Sequence, residues 1–503
     1  MNPTGKAFQG NCEIIHLKMR QILISFFTLV LFASGSYGQS TNEEETIRRI
    51  NTYLSDLEKI AFNGAVLVNL NGEVISKGFG FSNKEQQLKN SPNTIFDIGS
   101  ITKQFTAAAV LKLEMQGKLS TEDKISKYFD SIPADKEMIT LHDLLRHQSG
   151  LISNIGKDYE KISKEEFLHK VLSSKLRFNV GSGFSYSNIG YSLLAMIIEK
   201  VSGQSYETYL YENLWEPSAM QMTGYTRPGF DPELIAVGYY RDGREWGKPT
   251  NMEWDQTAPY WHLRGNGGIL STTGDLYKWH TALTTGSILS PEAIHKFYHP
   301  KLRTDETEAS YYAYGWDVYQ TNRGTTRLWH NGGNNIVYAD FRRFIDEGVT
   351  LIMLTNQSHP NFDDLNEEIS QMIFNADYTP AIPGADNETN RNFTNFIIRT
   401  LQDSGLEKAK EAYQGKNEDQ DLIEFIMRSE GLDHLYNNKP DMAMQIFLMN
   451  VFVHPNTAKA LQSLAEGYMV TGNKDLALKF FNESLSLNPD NPFAKDMIKV
   501  LGK

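Results

Sequence analysis

Residues 96–116, with the sequence FDIGSITKQFTAAAVLKLEMQ, carry the most informative pattern in the chain. The part that follows Ser100 is rich in strong helix formers and keeps an apolar stripe as far as Gly117, which predicts a helix that ends there. Ser100 at the helix start and Lys103 three residues later lie on one face. A hydroxyl beside an amine, at the positive end of a helix dipole, can become a nucleophile.

The same two residues also fit a simpler interpretation. Serine commonly caps the first turn of a helix, and a lysine in that turn is commonly solvated. Taken alone, the Ser-x-x-Lys spacing favours this simpler interpretation, because short motifs often match by chance. The rest of the sequence reverses that preference.

Length and composition bound the class of protein. The 503 residues predict about two to four domains, and 40% hydrophobic with 12% aromatic residues is typical of a globular chain. The net charge is −12, from 49 basic and 61 acidic residues, and the sequence has no run rich in Lys and Arg. We therefore expect no nucleic-acid partner.

The N-terminal region contains a secretory pattern. The apolar run 22–33 follows basic residues and precedes the small residues of 34–38. Residues 1–38 are therefore predicted to be a signal peptide, with Met19 as the natural start and a periplasmic or secreted product. The run is short for a membrane span, and an uncleaved membrane anchor is the alternative.

The only cysteine, Cys12, lies in this leader. The mature chain is therefore predicted to have no disulfide, no cysteine metal ligand and no cysteine nucleophile. Because the cleavage region lacks cysteine, a covalent lipid anchor there is excluded.

The start of the main region predicts a helix and a hairpin. A capping box at 41–44 begins the helix. Two strand-like runs, 64–70 and 73–78, are joined by the turn Asn71-Gly72, which is a strong hairpin signal.

The remainder of this region predicts how the hairpin is completed. A helical region extends from Ser100 to beyond Gly150, and three strand-like runs and a closing helix follow it at 326–330, 337–341, 349–354 and 362–374. These patterns predict an α+β fold over residues 39–375, with an antiparallel sheet shared by its first and last segments and flanked by the N- and C-terminal helices.

The composition of the sequence changes after residue 375. Residues 376–392, rich in Pro, Gly and Asn, are predicted to be a linker. Residues 393–503 have a period of 34, visible at Ala409, Ala443 and Ala477. This pattern resembles tetratricopeptide repeats, and an irregular helical tail is the alternative. So short an array buries little surface alone, so we expect it to dock on the domain of residues 39–375 and to offer a site for a protein partner.

Two further motifs follow Ser100 and Lys103 in the order that nucleophilic chemistry at Ser100 would need. Tyr186 and Asn188 lie between Gly-rich turns, just before a helix predicted to begin near Tyr191. His330 is predicted to end a strand, and Gly332 after it lets a substrate backbone approach closely. Tyr-x-Asn and a lone His are weak signals individually, because a lone His is commonly structural.

Together these motifs resemble the serine hydrolases of the penicillin-recognising group: class C β-lactamases, D-Ala-D-Ala carboxypeptidases, D-aminopeptidases and related esterases. The resemblance covers about residues 44–375, and it includes the stretches 144–151 (LLRHQSGL) and 265–272 (GNGGILST) outside the three motifs. It implies the β-lactamase/transpeptidase-like fold, with an all-helical part beside the sheet.

The resemblance implies a role for each motif residue. Ser100 resembles the acylated nucleophile, and Lys103 and Tyr186 look like the pair that moves its proton. An ammonium near Tyr186 is expected to lower the pKa of the phenol from about 10 toward the working pH.

The resemblance also implies the residues that bind substrate. Asn188 would orient the acyl-side amide, and His330 with Gly332 would line the opposite wall, where His330 contacts substrate or Tyr186. The backbone amides of Ser100 and Gly333 would form the oxyanion hole.

One departure narrows the function. The chain has His330-Asn331-Gly332 where β-lactamases and carboxypeptidases usually have Lys-Thr-Gly. Histidine is largely neutral at pH 7, so it offers no permanent cation to a substrate carboxylate. We therefore expect an esterase or a D-amino-acid peptidase or amidase rather than a β-lactamase, acting on a small ester, peptide or amide.

The sequence contains no zinc, P-loop or dinucleotide motif, so no metal and no cofactor are expected. The alternative hypothesis from another class is a non-catalytic receptor that binds peptide or glycan and recruits a partner through its repeats.

Overall fold

The computed structural model describes residues 43–57, 62–227, 229–240, 243–255, 258–299, 302–303, 310–334, 336–357, 362–380, 388–436, 439–488 and 492–502. The predicted signal peptide, Met19, Cys12 and the start of the capping box at Thr41 lie outside these residues. Contacts group the described parts of 1–57 and 367–382 into one compact unit, and those of 58–366 and 383–503 into a second.

Strands occupy both ends of the region before residue 360, and helices occupy its middle and the tail. The strands are β1 (Gly64–Leu70), β2 (Glu73–Phe79), β3 (Phe81–Asn83), β4 (Leu88–Lys89), β5 (Phe96–Asp97), β6 (Gly238–Tyr239), β7 (Glu245–Gly247), β8 (Leu270–Ser271), β9 (Leu302–Arg303), β10 (Ser310–Tyr312), β11 (Asp317–Gln320), β12 (Thr326–Gly333), β13 (Tyr338–Phe344) and β14 (Val349–Thr355).

The helices are α1 (43–56), α2 (Thr102–Met115), α3 (Leu141–Leu145), α4 (Lys164–Ser173), α5 (Asn188–Ser202), α6 (Tyr206–Leu210), α7 (Thr273–Thr285), α8 (Pro291–Tyr298), α9 (Phe362–Phe374), α10 (Glu388–Ser404), α11 (Leu406–Gln414), α12 (Glu424–Tyr436), α13 (Pro440–Val453), α14 (Ala458–Val470), α15 (Lys474–Leu487) and α16 (Pro492–Leu501). Among the described residues, no helix is both long enough and apolar enough to span a bilayer.

The first unit joins α1 to the segment that ends α9. The Arg49 guanidinium donates to the carbonyl oxygen of Ala376 at 2.9 Å and also to that of Tyr378. The Tyr378 hydroxyl donates to Glu368 at 2.8 Å. The two hydrogen bonds of Arg49 connect residues that are more than 300 positions apart in the chain.

The second unit contains the predicted antiparallel sheet. Its eight described strands run in the order β2-β1-β14-β13-β12-β11-β10-β9, with every neighbouring pair antiparallel. The predicted hairpin is confirmed: Asn71 and Gly72 both have positive φ, 51° and 101°, as a tight primed turn requires. β1 pairs with β14 along its whole length, so the first and last strands of the region share one sheet as predicted.

Helix α2 is buried on nearly all sides. Every residue from Thr102 to Leu111 is buried, together with Leu113. A helix with this burial pattern lies inside the core instead of along its edge. The position of α2 keeps the side chains of its first turn away from bulk water.

The helical region predicted from Ser100 to beyond Gly150 is only partly correct. After α2, the described chain from 116 to 163 forms one short α-helix, α3, and one 3-10 turn at Ile125–Lys127. Gly117 ends α2 in the left-handed region, with φ 68°. Loops and turns occupy the rest of this stretch, and the capping box between Thr140 and Asp143 begins α3.

The tail helices repeat regularly. α12, α14 and α16 begin at 424, 458 and 492, and α11, α13 and α15 begin at 406, 440 and 474, each step being 34 residues. The equivalent alanines, Ala409, Ala443 and Ala477, are all fully buried. Helix α10 begins at Glu388, inside the predicted linker. The assignment of these repeats to the tetratricopeptide class stays a prediction.

A backbone contact between β12 and the turn that precedes α2 positions the central motif. A Cβ on Gly332 would lie 2.1 Å from the carbonyl oxygen of Ile98 and 2.7 Å from the nitrogen of Ser100. A Cβ on Gly99, whose φ is 50°, would lie 2.5 Å from the nitrogen of Gly333. The two segments therefore meet without intervening side chains.

We predict that Gly332→Ala destabilises the protein by about 2–3 kcal/mol, because the added methyl group must displace backbone. Thermal and urea unfolding measure this effect. Gly274→Ala in α7 is the control, since its nearest atom would be 3.8 Å away and alanine favours helix. Wild-type stability of Gly332→Ala would contradict the described contact.

Candidate active site

Ser100 lies in a single 3-10 turn, Gly99–Ile101, that leads directly into α2. The turn is held by Asp97, whose carboxylate accepts a hydrogen bond from the Gly99 nitrogen at 2.8 Å. The N-cap position of α2 is Ile101, and no side chain caps that helix. The simpler interpretation of Ser100 as an N-cap is therefore wrong. Its side chain, partly buried, faces Lys103 instead.

Lys103 is fully buried beside the Ser100 hydroxyl. Its Nζ lies 3.0 Å from Ser100 Oγ and donates to the carbonyl oxygen of Asn266 at 2.8 Å. Burial lowers the pKa of Lys103 well below its ordinary value, and the charge of Asp158 acts in the opposite direction. The amine is therefore poised to be neutral and to accept a proton from Ser100.

The carbonyl group that receives Lys103 is itself fixed. The Asn266 side-chain amide donates to Ser192 Oγ at 2.8 Å and to the carbonyl oxygen of His262 at 2.9 Å. Gly265 precedes it with φ 85°, and a Cβ there would lie 2.5 Å from Ala195. The stretch 265–272 thus contributes the second hydrogen bond that orients the amine.

The Tyr186 side chain contacts both Ser100 and Lys103. Its side chain is hydrogen-bonded to that of Ser100, and the centroid of its ring lies 4.8 Å from Lys103 Nζ. Burial raises the pKa of Tyr186 above its usual 10, while the Ser100 contact acts the other way. The expectation that this pKa falls toward the working pH is therefore wrong, because burial of the phenol raises it. Tyr186 keeps its proton and is suited to donate it.

His330 is buried within β12, which continues to Gly333, so the histidine does not end the strand as predicted. Its Nδ1 lies 2.6 Å from the Asn331 carbonyl oxygen and must donate to it, so Nε2 accepts from the Tyr312 hydroxyl at 3.0 Å. Burial lowers the pKa of His330 to about 3, with the charge of Lys103 as a second cause. The imidazole is thus neutral, and its ring centroid lies 6.2 Å from that of Tyr186.

Asn188 is the first residue of α5, which begins three residues earlier than predicted. Ser187 caps that helix by accepting from the Gly190 nitrogen at 3.3 Å. The Asn188 side-chain amide donates to Asn154 at 2.9 Å. This bond ties Asn188 to the loop before α4, and its contact with the substrate amide stays a prediction.

The proposed oxyanion-hole amides come from the two segments that meet at Gly99 and Gly332. Gly333 is exposed and Ser100 is partly buried, so both can face a substrate. Gly332 itself is buried, and the space beside it is filled by the backbone of Ile98–Ser100. The close approach at this glycine is made by the turn that holds Ser100, and the contact of Gly332 with substrate stays a prediction.

Two groups beside the site were missed by sequence reasoning. The His147 ring packs against Tyr186 with centroids 4.3 Å apart and ring planes 40° apart, and its Nδ1 accepts from the Ser187 nitrogen at 3.1 Å. Asp158 is a mostly buried carboxylate whose charge acts on Lys103. His147 lies in the LLRHQSGL stretch already noted in the sequence, whereas the loop around Asp158 gives no signal. Among the described residues, no group of three or more His, Cys, Asp and Glu side chains could hold a metal ion.

An antiparallel sheet completed by both ends of the region, with a serine at the start of a buried helix, defines the β-lactamase-like α+β fold. The chain matches the Beta-lactamase family over residues 55–373, and it belongs to this family of serine hydrolases.

Individual relatives agree with this membership. A penicillin-binding protein of Bacillus subtilis (strain 168) is 30% identical over 315 residues, which are 60% of this chain and 69% of that protein. The crystal structure of a penicillin-binding protein from Bacillus halodurans is 25% identical, with a TM-score of 0.56, over 64% of this chain and 99% of that one. The D-amino acid amidase of Ochrobactrum anthropi SV3 is 22% identical, with a TM-score of 0.56, over 66% and 99%, which shows a common fold.

We predict that Lys103→Ala and Tyr186→Phe each slow acylation by about 10²–10⁴-fold without unfolding the protein, since each removes a proton-transfer group. The burst phase with p-nitrophenyl acetate measures acylation. Lys112→Ala, on the same helix, and Tyr211→Phe, in a second Tyr-x-Asn sequence, are the matched controls and should acylate normally. Normal acylation by either test variant would remove the assigned role.

We predict that acylation rises with pH through the lowered pKa of Lys103 and is level well below 10.5, because only the neutral amine accepts a proton. Asp158→Asn should move this rise to lower pH, since the Asp158 charge favours the protonated amine. The pH profile of kcat/KM measures both effects, with Lys112→Ala as control. A rise centred near 10.5 would show that Lys103 is charged at neutral pH.

Proposed function

We propose that this protein is an exported serine hydrolase that cleaves an ester or amide through an acyl-enzyme. The observation that carries the proposal is the buried amine of Lys103, 3.0 Å from the Ser100 hydroxyl and also bonded to Asn266. A solvated lysine would be charged and could not accept the proton. Membership of a family of serine hydrolases supports the same conclusion.

The proposed reaction uses the three side chains in turn. Lys103 takes the proton of Ser100 while Oγ attacks the carbonyl carbon, and the amides of Ser100 and Gly333 stabilise the oxyanion. Tyr186 gives its proton to the leaving oxygen or nitrogen and recovers one from Lys103. Water then attacks the acyl-enzyme, and its proton passes by the same groups to Oγ as the acid product leaves.

The surroundings of His330 favour neutral substrates at that wall. The imidazole is uncharged and is engaged by Asn331 and Tyr312, so it provides no permanent cation for the carboxylate of a β-lactam. We therefore place the activity with esterases or D-amino-acid peptidases and amidases. The fold shared with a D-amino acid amidase is compatible with this choice.

Export and partner binding belong to the same proposal. The leader pattern of residues 22–38 supports export to the periplasm or the medium. The relatives of this chain include a penicillin-binding protein. The helical repeats are proposed to dock on the catalytic domain, and they offer a surface for a protein partner.

We predict that a fluorophosphonate probe labels the wild-type protein and not Ser100→Ala, because the activated hydroxyl is the group that reacts. Gel fluorescence and mass spectrometry of the labelled peptide measure this result. Ser120→Ala should be labelled like the wild type. Absence of label from the wild type would favour the alternative, a receptor without catalysis.

A parallel screen of p-nitrophenyl esters, D- and L-amino-acid amides and penicillins assigns the substrate class. We expect kcat/KM for esters or D-amino-acid amides to exceed that for penicillins at least ten-fold. Faster hydrolysis of penicillins would overturn the interpretation of His330.

A further inference from the structure

A cavity of about 520 Å³ in the second unit is lined by two parts of the chain that are distant in sequence. One wall comes from loops and strand ends near the sheet, including Lys157, Trp246 and Asn334. The other wall comes from the tail, including Arg399 on α10 and Glu430 on α12. Its volume is typical of sites that take a small organic ligand or a short peptide segment.

The cavity has an excess of positive charge although the whole chain is acidic. Four basic side chains line it, Lys157, Arg244, Arg399 and Lys439, against two carboxylates, Glu430 and Asp433. The chain as a whole has a net charge of −12. A local reversal of sign in a concave site attracts anions.

The basic groups are available for a ligand. Lys157, Arg399 and Lys439 form no ion pair with any residue that the structure describes, and all three are exposed. Glu430, in contrast, lies 3.5 Å from His434 one helical turn away. The tail wall holds two basic and two acidic groups, so the positive excess of the cavity comes from Lys157 and Arg244 on the other wall.

Aromatic groups form a flat surface beside these cations. The Trp246 ring packs against Tyr159 with centroids 5.7 Å apart, and the Arg244 guanidinium lies 5.1 Å from the Tyr240 ring centroid. Such surfaces bind apolar and backbone parts of a ligand, while guanidinium and ammonium groups bind carboxylates.

The cavity borders the nucleophile. Asn334 in its lining directly follows Gly333, whose backbone faces the Ser100 turn. Lys157 directly precedes Asp158, whose charge acts on Lys103. The cavity lining therefore begins one residue beyond the backbone that meets the Ser100 turn.

We infer that this cavity is a substrate subsite for a carboxylate-bearing peptide segment, and that the helical tail supplies one of its walls. The inference rests on the proposed hydrolase function and names the part of the substrate that the tail selects. In this arrangement the repeats determine specificity directly, through Arg399 and Lys439, whereas the reacting bond stays at Ser100.

Equilibrium binding tests the subsite separately from catalysis. The full chain with Ser100→Ala is titrated calorimetrically with tetraglutamate and with tetraglutamine, which differ only in charge. Adding Arg399→Glu and Lys439→Glu should weaken tetraglutamate binding at least ten-fold. Lys459→Glu with Lys474→Glu is the matched control, because these tail lysines are exposed and do not line the cavity, and it should change binding less than two-fold.

The outcomes are distinct. Equal affinity for both peptides, or equal weakening by both variant pairs, would overturn the inference. The charge-reversal pair in an otherwise wild-type chain should keep its melting temperature and its turnover of p-nitrophenyl acetate; if it unfolds, Arg399→Gln with Lys439→Gln replaces it, with an expected loss of at least three-fold. Labelling of Ser100 without selective tetraglutamate binding would leave the hydrolase proposal standing and the subsite refuted. Selective tetraglutamate binding without labelling of Ser100 would support the subsite and refute the hydrolase proposal.

Discussion

The structure depends on the burial of one amine. Lys103 projects from a helix that is itself enclosed on nearly all sides, and its Nζ has a hydroxyl and a backbone carbonyl as its polar contacts, at 3.0 and 2.8 Å. A charged ammonium is costly in such surroundings, so the site favours the neutral form that can take a proton. The elements that pack around α2, among them the sheet and α5, exclude water from the Lys103 amine.

The groups around Lys103 are tuned by the same constraint. Burial keeps the proton on Tyr186, and it keeps His147 and His330 uncharged, with Lys103 contributing to the low pKa of both histidines. These shifts all favour the uncharged forms of the groups around Ser100. The proposed division between Lys103 as proton acceptor and Tyr186 as proton donor depends on environment more than on residue type.

We infer that the tail acts on the choice of substrate, whereas Lys103 acts on the reaction. Alternate helices of the tail from α11 onward begin 34 residues apart and bury alanines at equivalent positions, so each added helix pair presents side chains in a regular direction. Where α10 lines the cavity beside β12 it contributes Arg399, whereas α12 contributes the carboxylates Glu430 and Asp433. We infer that this surface, which the tail adds to a fold shared by many hydrolases, distinguishes substrates.

The local patterns of the sequence were sufficient for the hairpin at Asn71-Gly72, the strands at the end of the region, the helix after Ser100 and the period of the tail, because turn chemistry and apolar periodicity act over a few residues. They also identified Ser100, Lys103 and Tyr186 as candidates. Only the tertiary structure decided that Lys103 is buried, that Gly332 meets the backbone of Ile98–Ser100 and that His147 packs against Tyr186. Burial and packing involve segments distant in the sequence, such as Lys103 and Asn266, which are 163 residues apart, and no local pattern records the solvent that surrounds a side chain.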